Sequence, residues 1–511
     1  MKIGKWIARL AASGAGAAGD AERIAALLQR AAECQGVGDV LGAEECYRQA
    51  LSLQPEHAGA GHQLAHLLAL RAHACQERGE FDAAVEGYEE SLALDPGRAQ
   101  VRNNLGNVYQ SLGRLDDAAA ADRVAIAADA RLAEAHFGLA VVLEKTGEAG
   151  EAIAHCRAAL ALRPNFAEAS LGLGFLLEQE GDAQGALERY REAIAARPDY
   201  AEARFNYGLQ LLLRGDYEAG WKEYEWRMRL PGLEGAWPPA GGATWDGSPL
   251  EGRVILLYGE QGFGDVLQFV RYAPLVAERG GAVILRCQPK LKALLSTVPG
   301  VSAVLGTGEP LPPFDVSCSL LSLPRVFGTT LETIPAPPSY VRPDPEKARH
   351  WKARLAADGA SLKVGLFWAT ETKSRLSSLK SLTLDMLAPL GGVPRVTYYS
   401  LQRGAAAGQA AYPPQGMAIV DLSKELADFS DDAALMSHLD LIISVDTATA
   451  HLAGAMGRRV WTLTHFPPEW RWLLGRDDSP WYPTMRLFRR GQADTWEQVI
   501  LRIGQAVRQL A

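Results

Sequence analysis

NLGNVYQSLGRLDDAAAADRVAIAADA, residues 104–130, is one copy of a pattern that returns every 34 residues. Its Gly113 belongs to the series Gly79, Gly113, Gly147, Gly181 and Gly215, and its closing Ala130 stands in register with Pro96, Pro164 and Pro198. Small residues recur at Gly106, Ala140, Gly174 and Gly208, where one helix must approach its partner closely. Ala118, Ala152 and Ala186 hold the matching place in a second helix, and Tyr88, Tyr190 and Tyr224 supply bulk between units. A two-helix unit of this kind buries its apolar face only against its neighbours, so residues 20–230 are predicted to form an α-solenoid. Gly38 precedes Gly79 by 41 residues, which predicts about two extra helical turns in that unit.

A period of 34 is that of the tetratricopeptide repeat (TPR), whose stacked surfaces usually dock protein or peptide partners. Any chemistry is therefore expected downstream. The chain has 511 residues, too many for a single core. Its net charge of −8, without a long basic run, argues against a nucleic-acid partner. Six cysteines without CxxC spacing read as thiols in a reducing compartment, neither a disulfide framework nor a metal site. Arg9 interrupts the short apolar stretch at the N-terminus, and no apolar run is long enough for a membrane span; a cytoplasmic location is expected.

Composition changes after the repeats. Eleven of the 12 tryptophans follow residue 220, and the Pro- and Gly-rich residues 231–252 read as a linker. From Arg253 onward, short apolar runs alternate with helical stretches. VILLYGE, AVILRCQ, KVGLFWA, VTYYSLQ, LDLIISV and RRVWTLT are candidate buried strands of parallel sheets. Five prolines between residues 335 and 345 divide the region, predicting two Rossmann-like α/β halves, 253–345 and 346–511, with a cleft between them.

Two strand-to-helix turns are candidates for chemistry. GEQGFGD, residues 259–265, follows VILLY; Gly262 and Gly264 let backbone amides approach a bound group. Leu267 stands where a dinucleotide fingerprint needs its third glycine, which disfavours a nicotinamide oxidoreductase. Asp265 either caps the following helix or faces the cleft as a general base. In the second turn, within LDLIISVDTATAHLAGAMG (439–457), Asp446, Thr447 and Thr449 lie where a strand ends and a helix begins. The amides there suit an anion, and His451 in the first turn is placed to donate to a phosphate or sugar hydroxyl. Gln402 and Arg403, after VTYYSLQ, either contact a nucleotide or end a strand. Trp470, Trp472, Trp481 and Tyr482 read first as packing of a late segment and second as a base-stacking platform.

GEQGFGD, VDTATAHLAGAMG and PPEWRWLLGRDDSPWYPTMRLFR (467–489) together resemble bacterial TPR-linked glycosyltransferases. The catalytic halves of these enzymes are similar to the ADP-heptose heptosyltransferase family and, more distantly, to the O-GlcNAc transferase architecture. The resemblance implies a GT-B fold whose C-terminal half binds a nucleotide-sugar donor. It also implies metal-independent transfer to a protein or glycan hydroxyl, with no cofactor beyond the donor itself. By position, Asp265 matches the family's proposed base, and Asp446, Thr447 and His451 match its donor-binding segment; Thr449 belongs to the same turn. Lys373 and Arg375 are the cations expected at the leaving diphosphate, and Gln402 and Arg403 fall where relatives often have Gln-Lys. The chain departs from relatives at WATETKSRLSS (368–378), so a non-catalytic TPR scaffold with a degenerate transferase half is the alternative.

Overall fold

The computed structural model describes residues 17–230, 242–356, 360–371 and 375–511. Paired helices run from Ala17–Gly36 and Val40–Leu53 to Ala201–Leu213 and Tyr217–Tyr224. Each of Gly79, Gly113, Gly147, Gly181 and Gly215 closes the first helix of its pair with φ between 72° and 91°. Only glycine takes that conformation without cost, which accounts for the invariant period. The extra turns fall in Ala58–Glu77, 20 residues long against 13 for Ala99–Ser111.

The bulk positions are buried tyrosines at Tyr88, Tyr190 and Tyr224, but one member of the 34-residue series is Asp122. Its carboxylate is fully buried between two glycines; a Cβ on Gly106 or Gly138 would lie 2.8 Å from its oxygens. Asn103 donates to Oδ1 at 2.9 Å, while Oδ2 has no partner among the described residues. Burial, only partly opposed by Asn103, raises this carboxyl to about 7.

Contacts divide the chain into two compact units. One runs to Leu176 and includes Ala195–Arg197; the other comprises Leu177–Ile194 and Pro198–Ala511. The division falls inside the repeats, so the last helix pair shares a core with the α/β region. Trp221 packs edge-on against Trp470 and Trp481, with ring centroids 5.3 and 6.3 Å away, and donates its indole N–H to Thr329 O. The buried Arg227 bonds Glu260 and Glu225 at 2.6 and 2.7 Å, and Ser322 at 2.8 Å. Trp470, Trp472, Trp481 and Tyr482 are all buried, as the packing reading of that stretch requires.

Two parallel sheets follow. The first contains β1 (Ala243–Thr244), β2 (Val254–Tyr258), β3 (Ala282–Cys287), β4 (Val301–Gly306) and β5 (Val316–Ser319), in the order β1-β5-β2-β3-β4. β1 lies within the segment read as a linker and pairs with β5 at Ala243↔Val316; residues 231–241 of that segment lie outside the described residues. The second contains β6 (Leu362–Phe367), β7 (Val396–Ser400), β8 (Ile419–Asp421), β9 (Leu441–Val445), β10 (Val460–Thr464) and β11 (Met485–Arg489). Its order is β11-β10-β9-β6-β7-β8. This is the doubly wound arrangement, in which strand order reverses between β6 and β9 and opens a crevice at their carboxyl ends. In the first sheet the same reversal falls between β2 and β5.

Candidate active site

The two reversals contribute to one cleft of about 460 Å³. Gly262, Phe263 and Gly264 line it from the turn after β2, and Asp446, Thr447, Ala448 and Thr449 from the turn after β9. Phe367, Thr370, Lys380, Leu401 and Arg403 complete the C-terminal wall, with Lys290 on the N-terminal side. The glycine turn and the Asp-Thr turn therefore meet across a common space. Their helices, Phe263–Phe269 and Ala448–Ala455, pack so closely that a Cβ on Gly264 would lie 2.8 Å from the His451 ring. A side chain at Gly264 has no room.

A row of charges runs inward from the cleft: Lys380 and Asp446 line it, whereas Asp265, Glu469 and Arg471 lie behind that lining. Lys380 Nζ stands 3.1 Å from Asp446 Oδ2, an ion pair off hydrogen-bonding angle, and also bonds Glu469. Arg471 bonds Glu469 at 2.7 Å, bonds Asp265 and reaches Gln268 Oε1 at 2.8 Å. Asp265 thus both accepts from Gly262 N (3.1 Å), capping its helix, and pairs with Arg471. Burial raises its carboxyl above the ordinary range, outweighing Arg471. Burial also pushes Asp446 up, but Lys380 and Arg471 outweigh it and hold the group ionised, below its usual value. Lys380 loses to burial less than it gains from Asp446 and Glu469, so it stays charged. Asp446, His465 and Glu469 place one ligand atom each within 4.8 Å of one another, and the Lys380 ammonium already contacts both carboxylates of that trio.

The remaining sequence candidates separate. Arg403 lines the cleft and bonds Asp432 Oδ2 at 2.7 Å. Burial, partly opposed by Arg403, raises Asp432 to about 7. Gln402 ends the strand: its buried amide accepts from Trp368 N and Ala369 N at 3.0 and 2.9 Å and donates to Ala369 O, so it braces the backbone instead of facing the cleft. His451 also turns inward. Its Nδ1 is 2.7 Å from Tyr482 Oη and its ring stacks on Trp472, centroids 5.4 Å apart. Burial, then Arg471, depresses it well below the usual histidine range, so it is a neutral packing group behind the glycine turn. Lys373 and the Arg375 side chain lie outside the described residues.

Sequence reasoning missed Lys290, Lys380, Glu469, Arg471 and the Phe263–Phe429 pair at the rim, whose ring centroids are 5.1 Å apart. No local motif carries them, because the ion-pair row is assembled from four distant segments.

Residues 417–469, which hold β8 to β10, Asp446, Thr447 and Glu469, match the family described as glycosyltransferase family 9 (heptosyltransferase). The C-terminal region carries a heptosyltransferase-type domain. Residues 72–113 match the TPR repeat, and residues 133–166 and 171–224 the tetratricopeptide repeat. The chain is 29% identical over 319 residues to Protein FlbA of Caulobacter vibrioides, covering 57% of this chain and 52% of that protein. It thus spans about half the length of this curated relative. Among solved structures, MamA is 25% identical over 31% of this chain and 92% of its own, with a TM-score of 0.28. YrrB, described as a TPR protein with an unusual peptide-binding site, is 22% identical over 38% and 95%, with a TM-score of 0.30.

Proposed function

We propose that the protein is a GT-B glycosyltransferase that moves a sugar from a nucleotide-sugar donor to a hydroxyl of a protein or glycan recruited by the repeats. The observation that carries this reading is the single cleft lined by both the Gly262–Gly264 turn and the Asp446–Thr449 turn. Within it, the donor diphosphate lies against the amides at Thr447–Thr449, with Lys380 and Lys290 balancing its charge. Phe263, Phe429 and Arg403 face the nucleoside. Asp265 accepts the acceptor's proton, its raised affinity for a proton suiting a base. The acceptor oxygen bonds the anomeric carbon as the bond to the diphosphate oxygen breaks, and the electron pair leaves with the nucleotide. Lys380 supplies the positive charge at that point, and no step uses a metal ion.

The test is transfer and donor hydrolysis across a nucleotide-sugar panel, with UDP, GDP and ADP binding followed by thermal shift. Asp265→Asn is expected to lower turnover by ~10²-fold or more while nucleotide binding persists. Binding of no nucleotide at millimolar concentration would leave a scaffold instead.

A further inference from the structure

Asp446 follows β9 and His465 follows β10, and these parallel neighbours, in register at Val445↔Leu463, end side by side. Glu469 stands four residues beyond His465. One oxygen of each carboxylate and one ring nitrogen of His465 lie within 4.8 Å of one another. Donors on one tetrahedral ion stand about 3.4 Å apart, so side-chain movements of about 1 Å close this trio on a metal. Both sides are accessible: Asp446 and Lys380 line the cleft of about 460 Å³, and His465 and Glu469 line a second cavity of about 370 Å³.

Lys380 satisfies the trio only in part. Its ammonium bonds Glu469 and meets Asp446 Oδ2 at 3.1 Å, off hydrogen-bonding angle. His465 is 4% exposed, and neither ring nitrogen has a hydrogen-bond partner among the described residues; the Phe466 main chain lies nearby but off bonding geometry. Burying an imidazole with both nitrogens unanswered is costly, and a ligand that takes up its lone pair removes part of that cost. Charge points the same way. Counted as ionised, Asp265, Asp446 and Glu469 carry three negative charges against the two positive charges of Lys380 and Arg471. A divalent ion in place of the ammonium makes the row neutral. Arg471, 2.7 Å from Glu469 Oε2, holds that oxygen and so fixes the direction of the other, which faces the trio.

The structure assigns Asp446, His465 and Glu469 as a binding site for a divalent transition-metal ion of the zinc class, held in exchange with the Lys380 ammonium. One imidazole nitrogen and two carboxylate oxygens suit such an ion, whereas calcium and magnesium prefer oxygen alone. The ion takes the two carboxylates, water completes its coordination, and Lys380 turns to the cleft it already lines. Metal occupancy thus sets where the Lys380 charge stands. Binding there requires no sugar transfer in the cleft, and the ion takes no part in the reaction proposed above.

The test uses the metal-free full chain, with cobalt(II) and zinc(II) as probes. Cobalt is expected to bind tightly at one ion per chain with visible d–d bands, and without the near-ultraviolet charge-transfer band of a thiolate site. In protein labelled with ¹⁵N-histidine, zinc is expected to shift the His465 ring signals, assigned by His465→Gln. By calorimetry, zinc affinity should rise ~10-fold or more in Lys380→Met, which removes the competing ammonium, and fall ~10-fold or more in His465→Gln. Glu469→Gln, at the most exposed of the three ligands, should lower the affinity likewise and silence the response of the same ring; it replaces His465→Gln if that variant does not fold. If Lys380→Met does not fold, the His465 shift in the wild type decides. Zinc that leaves the His465 ring unmoved, a thiolate band, or an affinity indifferent to Lys380→Met would overturn the proposal.

Discussion

Asp122→Asn isolates a buried charge inside the repeats. The carboxyl titrates at about 7 in the folded chain, against an ordinary value of 3.8. A folded state that holds its proton more tightly than the unfolded chain is most stable below the unfolded value. It loses that stability as pH rises toward the folded one. The full span is about 4 kcal/mol, of which roughly 2–3 kcal/mol falls between pH 5 and pH 8. Asn103 and the Gly106 and Gly138 backbones accommodate an amide of the same shape, so the variant removes the titration without emptying the site. Urea unfolding of both proteins at several pH values, followed by far-UV circular dichroism, gives the difference, and other titrating groups cancel. The wild type should fall behind Asp122→Asn steadily from pH 5 and level off above pH 7. A difference that stays constant over this range would refute the reasoning.

Removing Arg227 leaves Glu260 buried without its cation, so Arg227→Met should cost about 3–5 kcal/mol in the second unit's urea transition. Gly264→Ala drives a methyl into the His451 ring, 2.8 Å away, and should weaken nucleotide binding in the thermal-shift assay more than a change at the exposed Gly262. Asp432 is ionised above about pH 7 and then engages Arg403; protonating it frees that guanidinium for an anion. ADP affinity should therefore strengthen between pH 8 and pH 6 in the wild type relative to Asp432→Asn, measured by calorimetry. Parallel pH profiles would dissociate Asp432 from ligand binding.

The repeats were legible because a helix stop at positive φ admits glycine alone, so Gly79 to Gly215 fix both period and register. The six apolar runs all became strands, β2, β3, β6, β7, β9 and β10, since strands buried on both faces read as continuous hydrophobic stretches. β4, at the sheet edge, and β5, written VSCS, lack that signal, and β11 was hidden inside the aromatic stretch. At the site, the turns announced themselves through Gly262, Gly264 and Asp446–Thr449. Spacing placed His451 on the first helical turn but not the direction of its ring, which Tyr482 and Trp472 draw inward. Lys380, Glu469 and Arg471 gain meaning only when tertiary packing brings them to Asp265 and Asp446.

The most direct measurement is a structure of the full chain with whichever of UDP, GDP or ADP raises its melting temperature. Phosphate oxygens are expected within hydrogen-bond distance of the Thr447–Thr449 amides and Lys380, with the nucleoside toward Arg403 and Phe429. A nucleotide bound outside the cleft between the Gly262–Gly264 and Asp446–Thr449 turns would contradict it.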